Sequence, residues 1–148
     1  MLRRFLLYLS AAGWARGLVT HVGLARSVAR RFIAGETIDD AVRVARALNA
    51  QNLLVSMDYL GESVHAAEDT HAVVATYRSI LERITREGLK ASVSLKLTHL
   101  GLDIGEPLCL ENLRAILGDA KSRGIPVTID MESSDYTDTT LRIYRRVR

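Results

Sequence analysis

Three short apolar runs, each carrying a charged residue near its end, recur along this chain at nearly constant spacing. The charged residues are Asp58, Lys96 and Asp130, with 38 residues from the first to the second and 34 from the second to the third. Each interval holds one amphipathic helical pattern and is about as long as a strand–helix–strand unit of ~30 or more residues. This alternation predicts an α/β fold with a parallel sheet, in which right-handed crossovers set successive strands side by side.

The residue alternation within these runs distinguishes two parallel architectures. In residues 93–98 the apolar side chains fall on one face, and Ser94, Lys96 and Thr98 fall on the other, with Lys96 in the middle of a predicted strand. Strands of a doubly wound sheet are apolar on both faces, whereas a (β/α)8 barrel collects polar residues at the carboxyl ends of its strands. We therefore predict N-terminal helices followed by the first three βα units of a TIM-like barrel. The barrel would be incomplete, because a whole one takes about 250 residues.

Hydrophobic periodicity and end signals predict the individual elements. Thr37 is a suitable N-cap for a first helix, and glycines 88 and 124 stand where later helices should end. The predicted order is a helix from residue 38, strand 53–58, a helix within 62–87, strand 91–98, a helix through 110–120, strand 127–132 and a helix from about residue 137. Residues 1–36 are predicted to form a helical arm, and residues 37–148 the N-terminal part of a barrel domain.

Charge is distributed unevenly, although the formal net charge is only +3. Residues 1–34 hold six arginines and no acidic residue, within apolar sequence of helical periodicity. Such a basic amphipathic helix can rest on an anionic membrane surface or pack against its own domain. We expect a cytoplasmic protein, with peripheral contact at the inner face of the membrane as one use of this helix. The arginines lack an aromatic platform for bases, which argues against nucleic acid as a partner.

Other sequence signals exclude several kinds of site. No apolar run is long enough to span a membrane. Four scattered histidines and one cysteine give no metal-ligand spacing, so no metal site is predicted. The single cysteine, Cys109, lies in an apolar pattern and is interpreted as a core residue rather than a nucleophile. The charged strand ends therefore remain the main candidates for chemistry.

Lys96 is the most informative of these charges, because a buried ammonium needs a partner or a ligand. It can form a structural ion pair with Asp58 or Asp130, although such pairs are poor stabilisers. It can instead bind a substrate carboxylate or phosphate, or form a Schiff base with a carbonyl compound. The residues alone leave these alternatives open. His99, just past the predicted strand, is either a site residue or an ordinary loop histidine.

Three motifs taken together resemble proline dehydrogenase of the short, monofunctional bacterial type. They are Asp58-Tyr59-Leu60-Gly61-Glu62, the segment from Val93 to Asp103, and Asp130-Met131-Glu132. Residues 29–36 are also similar to the N-terminal region of that family, so the resemblance runs through essentially the whole chain. It implies a distorted (β/α)8 barrel with FAD at its carboxyl rim. It also implies oxidation of L-proline to 1-pyrroline-5-carboxylate by hydride transfer to the flavin, with electrons passed on to a membrane quinone.

The same resemblance implies roles for individual residues. Lys96 would bind the proline carboxylate, Asp130 would be the catalytic acid beside it, and Met131 would contact the flavin, while Asp58 and Glu62 would belong to the barrel framework. The family's other flavin contacts and active-site arginines belong to later strands and a last helix, beyond residue 148. We therefore expect the chain alone to be inactive and not to hold FAD tightly. The alternatives are a non-catalytic barrel fragment and a lysine-dependent, aldolase-like barrel.

Overall fold

The computed structural model describes residues 33–61 and 64–148. The chain divides into two compact units, residues 1–41 and residues 42–148. Most of the predicted helical arm over 1–36 lies outside the described residues, and the predicted domain boundary stays a prediction. Within the described ranges, no helix is both long enough and apolar enough to cross a membrane.

Helices and strands alternate through the described part of the chain, in the predicted order. The elements are α1 (Ile38–Asn49), β1 (Val55–Asp58), α2 (Ala67–Arg86), β2 (Ala91–Leu95), α3 (Glu106–Ser122), β3 (Val127–Ile129), a short 3-10 helix (Ser134–Tyr136) and α4 (Thr137–Val147).

The three strands form one parallel sheet in the order β1-β2-β3. Asp58 lies opposite Ser94 between β1 and β2, and Leu95 lies opposite Ile129 between β2 and β3. The predicted α/β fold with a parallel sheet is confirmed. Its completion into a (β/α)8 barrel stays a prediction.

Local signals at the helix ends act as the sequence indicates. The Thr37 hydroxyl accepts a hydrogen bond of 3.2 Å from the backbone N–H of Asp40, which caps the start of α1. Gly88 and Gly124 take φ angles of +61° and +66°, the left-handed conformation that lets the chain turn out of a helix. The predicted cap and both predicted helix ends are confirmed.

The hydrophobic core is formed mainly by β2 and by α2 and α3, the two helices that flank it in sequence. Helices α2 and α3 contact each other. The largest fully buried apolar side chains are Tyr77, Leu81, Val93, Leu95, Leu97, Leu100, Leu113, Ile116 and Ile143. This packing fixes the place of β2 in the core and so positions the residues that follow its carboxyl end.

Each strand is shorter than its apolar pattern predicts. β2 ends at Leu95, and residues 97–104 form turns, with the N–H of Leu100 donating to the carbonyl of Leu97 at 3.0 Å. Lys96 therefore follows the strand, and the prediction that it interrupts the middle of one is wrong. The alternation misleads here because Leu97 is as fully buried in the turn as it would be in a strand.

Candidate active site at the carboxyl edge of the sheet

The carboxyl ends of β2 and β3 bring Lys96 and Asp130 together. Lys96 Nζ lies 3.6 Å from Oδ2 of Asp130, an ion-pair distance slightly beyond a normal hydrogen bond. The other oxygen, Oδ1 of Asp130, accepts a hydrogen bond of 2.5 Å from Oγ of Ser94. The lysine side chain is 27% exposed and the aspartate side chain 34% exposed. The pair can thus be reached by a ligand, while protein groups face both oxygens of its carboxylate.

A second contact connects the segment that follows β2 to the segment that follows β3. Glu132 accepts hydrogen bonds from both the backbone N–H and the hydroxyl of Thr98, at 3.2 and 2.5 Å. Thr98 is almost completely buried, with an exposed fraction of 1%. We refer to Ser94, Lys96, Thr98, Asp130 and Glu132 together as the β2–β3 corner. The Thr98–Glu132 contact is not predictable from strand alternation, because it depends on the turn after Lys96.

The end of β1 is built from aromatic rings and one carboxylate. The hydroxyl of Tyr77, a buried residue of α2, donates to Oδ1 of Asp58 at 3.3 Å. Burial, together with the nearby Asp58 charge, raises the pKa of Tyr77 well above its usual value of 10, so this hydroxyl stays a donor. The ring of Tyr59 meets Tyr77 edge-on at 6.2 Å and lies 5.1 Å from the ring of His99, centroid to centroid. We call Asp58, Tyr59, Tyr77 and His99 the β1 corner.

His99 is packed into this corner as a nearly buried ring. Its Nδ1 is buried without a hydrogen-bond partner among the described residues. Burial lowers the pKa of His99 below its usual value of 6.5, and Lys96 acts in the same direction, against the opposing effect of Asp58. A Cβ placed on Gly61 would lie 2.4 Å from Cε1 and Nε2 of the ring, so a larger residue at this position would force the ring or the main chain to move. His99 is therefore a buried residue of the turn that follows β2, and its role as a site residue stays a prediction.

Two further predicted residues, Asp58 and Met131, lie outside the lysine–aspartate pair. Asp58 does not join the lysine–aspartate pair, because the register sets it opposite Ser94 and it bonds Tyr77 instead. Met131 follows Asp130 directly and is 55% exposed. Glu62 lies outside the described residues.

Cys109 is a core residue, as predicted. It is fully buried in α3, and its Sγ lies 3.5 Å from the carbonyl oxygen of Leu97. Burial raises the pKa of the Cys109 thiol to about 12, which leaves it uncharged and unreactive. Over the described ranges, no group of three or more histidine, cysteine or acidic side chains is arranged to hold a metal ion.

The three parallel strands and the helices between them define an α/β protein. The partly exposed lysine–aspartate pair is a candidate site, because it lies at the carboxyl ends of the strands, where α/β enzymes bind their ligands. The family model described as Proline dehydrogenase matches residues 41–148. Proline dehydrogenase 1 of Bacillus subtilis (strain 168) is 39% identical over the whole chain, and Proline dehydrogenase 2 of the same strain is 36% identical over 99% of it. The chain therefore belongs to the proline dehydrogenase family.

The chain spans about half the length of these relatives, 49% of the first and 48% of the second. Its fold is also that of a much longer solved protein, proline utilization A (PutA) from Bdellovibrio bacteriovorus inactivated by N-propargylglycine. The two are similar with a TM-score of 0.74 and 19% sequence identity, over 83% of this chain and 15% of that one. At this identity the likeness shows the shared fold alone.

Proposed function

We propose that this chain is the N-terminal part of an FAD-dependent proline dehydrogenase with a (β/α)8 barrel, which oxidises L-proline to 1-pyrroline-5-carboxylate. The observation that carries the proposal is the Lys96–Asp130 pair, separated by 3.6 Å and open to a ligand at the sheet edge. Membership of the family supports it, because the matched region includes both residues of the pair.

Lys96 is the proposed ligand of the proline carboxylate. Its ammonium carries three donors, and no oxygen of Asp130 lies within hydrogen-bond distance of it. A substrate carboxylate could accept a charge-assisted hydrogen bond from one of these donors. Asp130 is the proposed catalytic residue, because its carboxylate stands beside the lysine and would face the nitrogen of a proline molecule held there.

The same edge suits one side of a flavin. Met131 leaves an exposed thioether directly after Asp130, and such a polarizable, apolar side chain packs well against aromatic rings. When bound, FAD would supply the acceptor for the hydride from proline C5. The residues of this chain would orient the substrate and set the charge around it.

The proposed acceptor of the electrons is a membrane quinone. A cytoplasmic enzyme would then touch the inner face of the membrane, with the six arginines of residues 1–34 favouring anionic lipid. Flotation with vesicles rich in phosphatidylglycerol tests this part: binding should weaken as salt is added. Binding only to uncharged vesicles would contradict it.

A chimera tests the enzymatic proposal. In it, this chain replaces the matching segment of Proline dehydrogenase 1 of Bacillus subtilis. We expect a yellow protein whose flavin absorbance is bleached by L-proline, whereas residues 1–148 alone should be colourless and inactive. A yellow, proline-reducible preparation of residues 1–148 would contradict the fragment proposal. A folded chimera that lacks flavin, but is trapped by borohydride at Lys96 with a carbonyl substrate, would favour the aldolase-like alternative.

A further inference from the structure

Ser94 makes a close contact to Asp130 but has no part in the function proposed above. We infer that Ser94 is a positioning residue, which holds the Asp130 carboxylate away from Lys96 and so keeps the lysine ammonium available to a substrate carboxylate. The identity of that carboxylate rests on the proposed function; the contacts that carry the inference do not.

The two oxygens of Asp130 have different partners. Oδ1 accepts the Ser94 hydroxyl at 2.5 Å, while Oδ2 stands 3.6 Å from Lys96 Nζ. An ammonium and a free carboxylate normally close to about 2.7–2.9 Å. The distance from Lys96 Nζ to Asp130 Oδ2 is therefore longer than that of a direct charge-assisted hydrogen bond. The Ser94 hydroxyl, bonded to Oδ1 on the other side of the carboxylate, is the contact that opposes a shorter distance.

The backbone explains why Ser94 can act in this way. Ser94 and Lys96 share one face of the chain, two residues apart. The N–H of Asp130 donates to the carbonyl of Leu95 at 2.9 Å, which continues the β2–β3 ladder by one residue. Asp130 is thus across from Lys96 and diagonal to Ser94, a spacing at which side chains of neighbouring strands meet. Ser94 itself is only 8% exposed, so its short side chain is held by the strand.

A merely structural serine would have a different signature. If the hydroxyl only satisfied a buried polar group, its loss would lower stability and leave the lysine unchanged. If it restrains Asp130, its loss lets the carboxylate turn toward Lys96, and the lysine becomes less accessible to reagents and ligands. The accessibility of Lys96 therefore separates the two roles.

Amine acylation of the full 148-residue chain measures that accessibility without any enzymatic activity. The chain has three lysines, and the other two, Lys90 and Lys121, are exposed and serve as internal references. After a short pulse of succinimidyl acetate, mass spectrometry gives the extent of modification at each lysine. We expect Lys96 in Ser94→Ala to react several-fold more slowly relative to Lys121, and Ser94→Thr, which keeps the hydroxyl, to react like the parent.

The Asp130→Ala variant serves as a second parent protein, in which an effect of Ser94→Ala through a folding defect can be recognised. Removing the carboxylate by Asp130→Ala should raise Lys96 acylation, and adding Ser94→Ala to it should then change nothing further. An effect of Ser94→Ala that persists without Asp130 would overturn the inference. So would equal Lys96 acylation in the parent and in a folded Ser94→Ala variant.

The chimera supplies the functional readout. Ser94→Ala should lower kcat/KM for L-proline roughly tenfold, mostly through KM, as expected for the loss of about one charge-assisted hydrogen bond. L-prolinamide, which lacks the carboxylate, should lose little. Equal losses for both substrates would overturn the inference. An inactive parent chimera would count against the proposed function instead, and the acylation result would still decide the role of Ser94.

Discussion

The β2–β3 corner and the β1 corner lie at the same edge of the sheet but are built from different interactions. In the β2–β3 corner, the carboxylates accept hydrogen bonds from hydroxyl and N–H groups, and the Lys96–Asp130 ion pair stays partly exposed. In the β1 corner, two tyrosine rings and a nearly buried histidine pack together, and Asp58 accepts a hydrogen bond from the hydroxyl of Tyr77. The first arrangement can exchange a protein contact for a ligand contact, whereas the second can change only by losing packing. We therefore expect substrate recognition in the first corner and mainly structural effects in the second.

The largest expected effect is that of Lys96→Met in the chimera. Removing the ammonium while keeping most of the unbranched side chain should lower kcat/KM for L-proline roughly 100-fold, near the upper end for one hydrogen bond to a charged group. Steady-state kinetics with a dye acceptor measures this. Lys121→Met, on an exposed position of α3, is the matched control and should change little. An active Lys96→Met variant would remove the functional distinction between the corners.

Thr98→Val should cost about 2 kcal/mol in the free energy of unfolding, because a buried hydroxyl that donates to a carboxylate is lost. Urea denaturation of the 148-residue chain measures this change. Thr76→Val is the matched control, since the Thr76 hydroxyl donates only to the carbonyl of Ala72 within its own helix. Equal losses at the two positions would show that the tie to Glu132 does not stabilise the β2–β3 corner.

Tyr77→Phe should cost about 1 kcal/mol of stability, because Asp58 loses a neutral donor while the ring packing is kept. The same substitution in the chimera should leave kcat/KM for L-proline within about twofold, since Tyr77 lies outside the β2–β3 corner. Tyr144→Phe, on the exposed side of α4, is the control for stability. A large loss of activity without loss of stability would place Asp58 and Tyr77 with the substrate site.

The smallest expected effect is a change in the pH dependence of stability. The pKa of His99 is lowered in the folded protein by burial, so the unfolded chain binds more protons below its usual pKa of 6.5. The free energy of unfolding should therefore fall as the pH is lowered from neutral through 6.5, and His99→Gln should flatten this slope. Denaturation curves across that range test it. His71→Gln, at an exposed position of α2, should keep the parental slope; an unchanged slope in His99→Gln would contradict the role of burial.

The β2–β3 corner was the more predictable of the two, and for a physical reason. Alternation along a strand places Ser94 and Lys96 on one face. The similar spacing of the runs made Asp58 and Asp130 the two candidate partners of Lys96, and the structure pairs the lysine with Asp130. The same alternation overextends β2, because a buried leucine in a turn has the same pattern as one in a strand. The turn then creates the Thr98–Glu132 contact, which no periodicity encodes.

The β1 corner was largely hidden from sequence reasoning. Asp58 has the same position in its run as Lys96 and Asp130, but the register between β1 and β2 sets it opposite Ser94. Its partner Tyr77 lies 19 residues away on the helix that follows. In the sequence, Tyr77 is simply one member of the apolar stripe of that helix. The packing of Tyr59 on His99 depends on how two loops meet. Such contacts are fixed by tertiary structure and leave no local signal.

The burial of Cys109 gives the molecule a built-in reporter of its own opening. It is the single thiol of the chain and lies beneath the turn that follows Lys96, close to the carbonyl of Leu97. Because Cys109 is fully buried, a thiol reagent can reach it only when the packing around it opens, so the rate of its modification under native conditions measures how often this region opens. If the proposed ligands bind at the carboxyl ends of the strands and stabilise this region, they should slow that rate, and no cysteine has to be engineered to measure it.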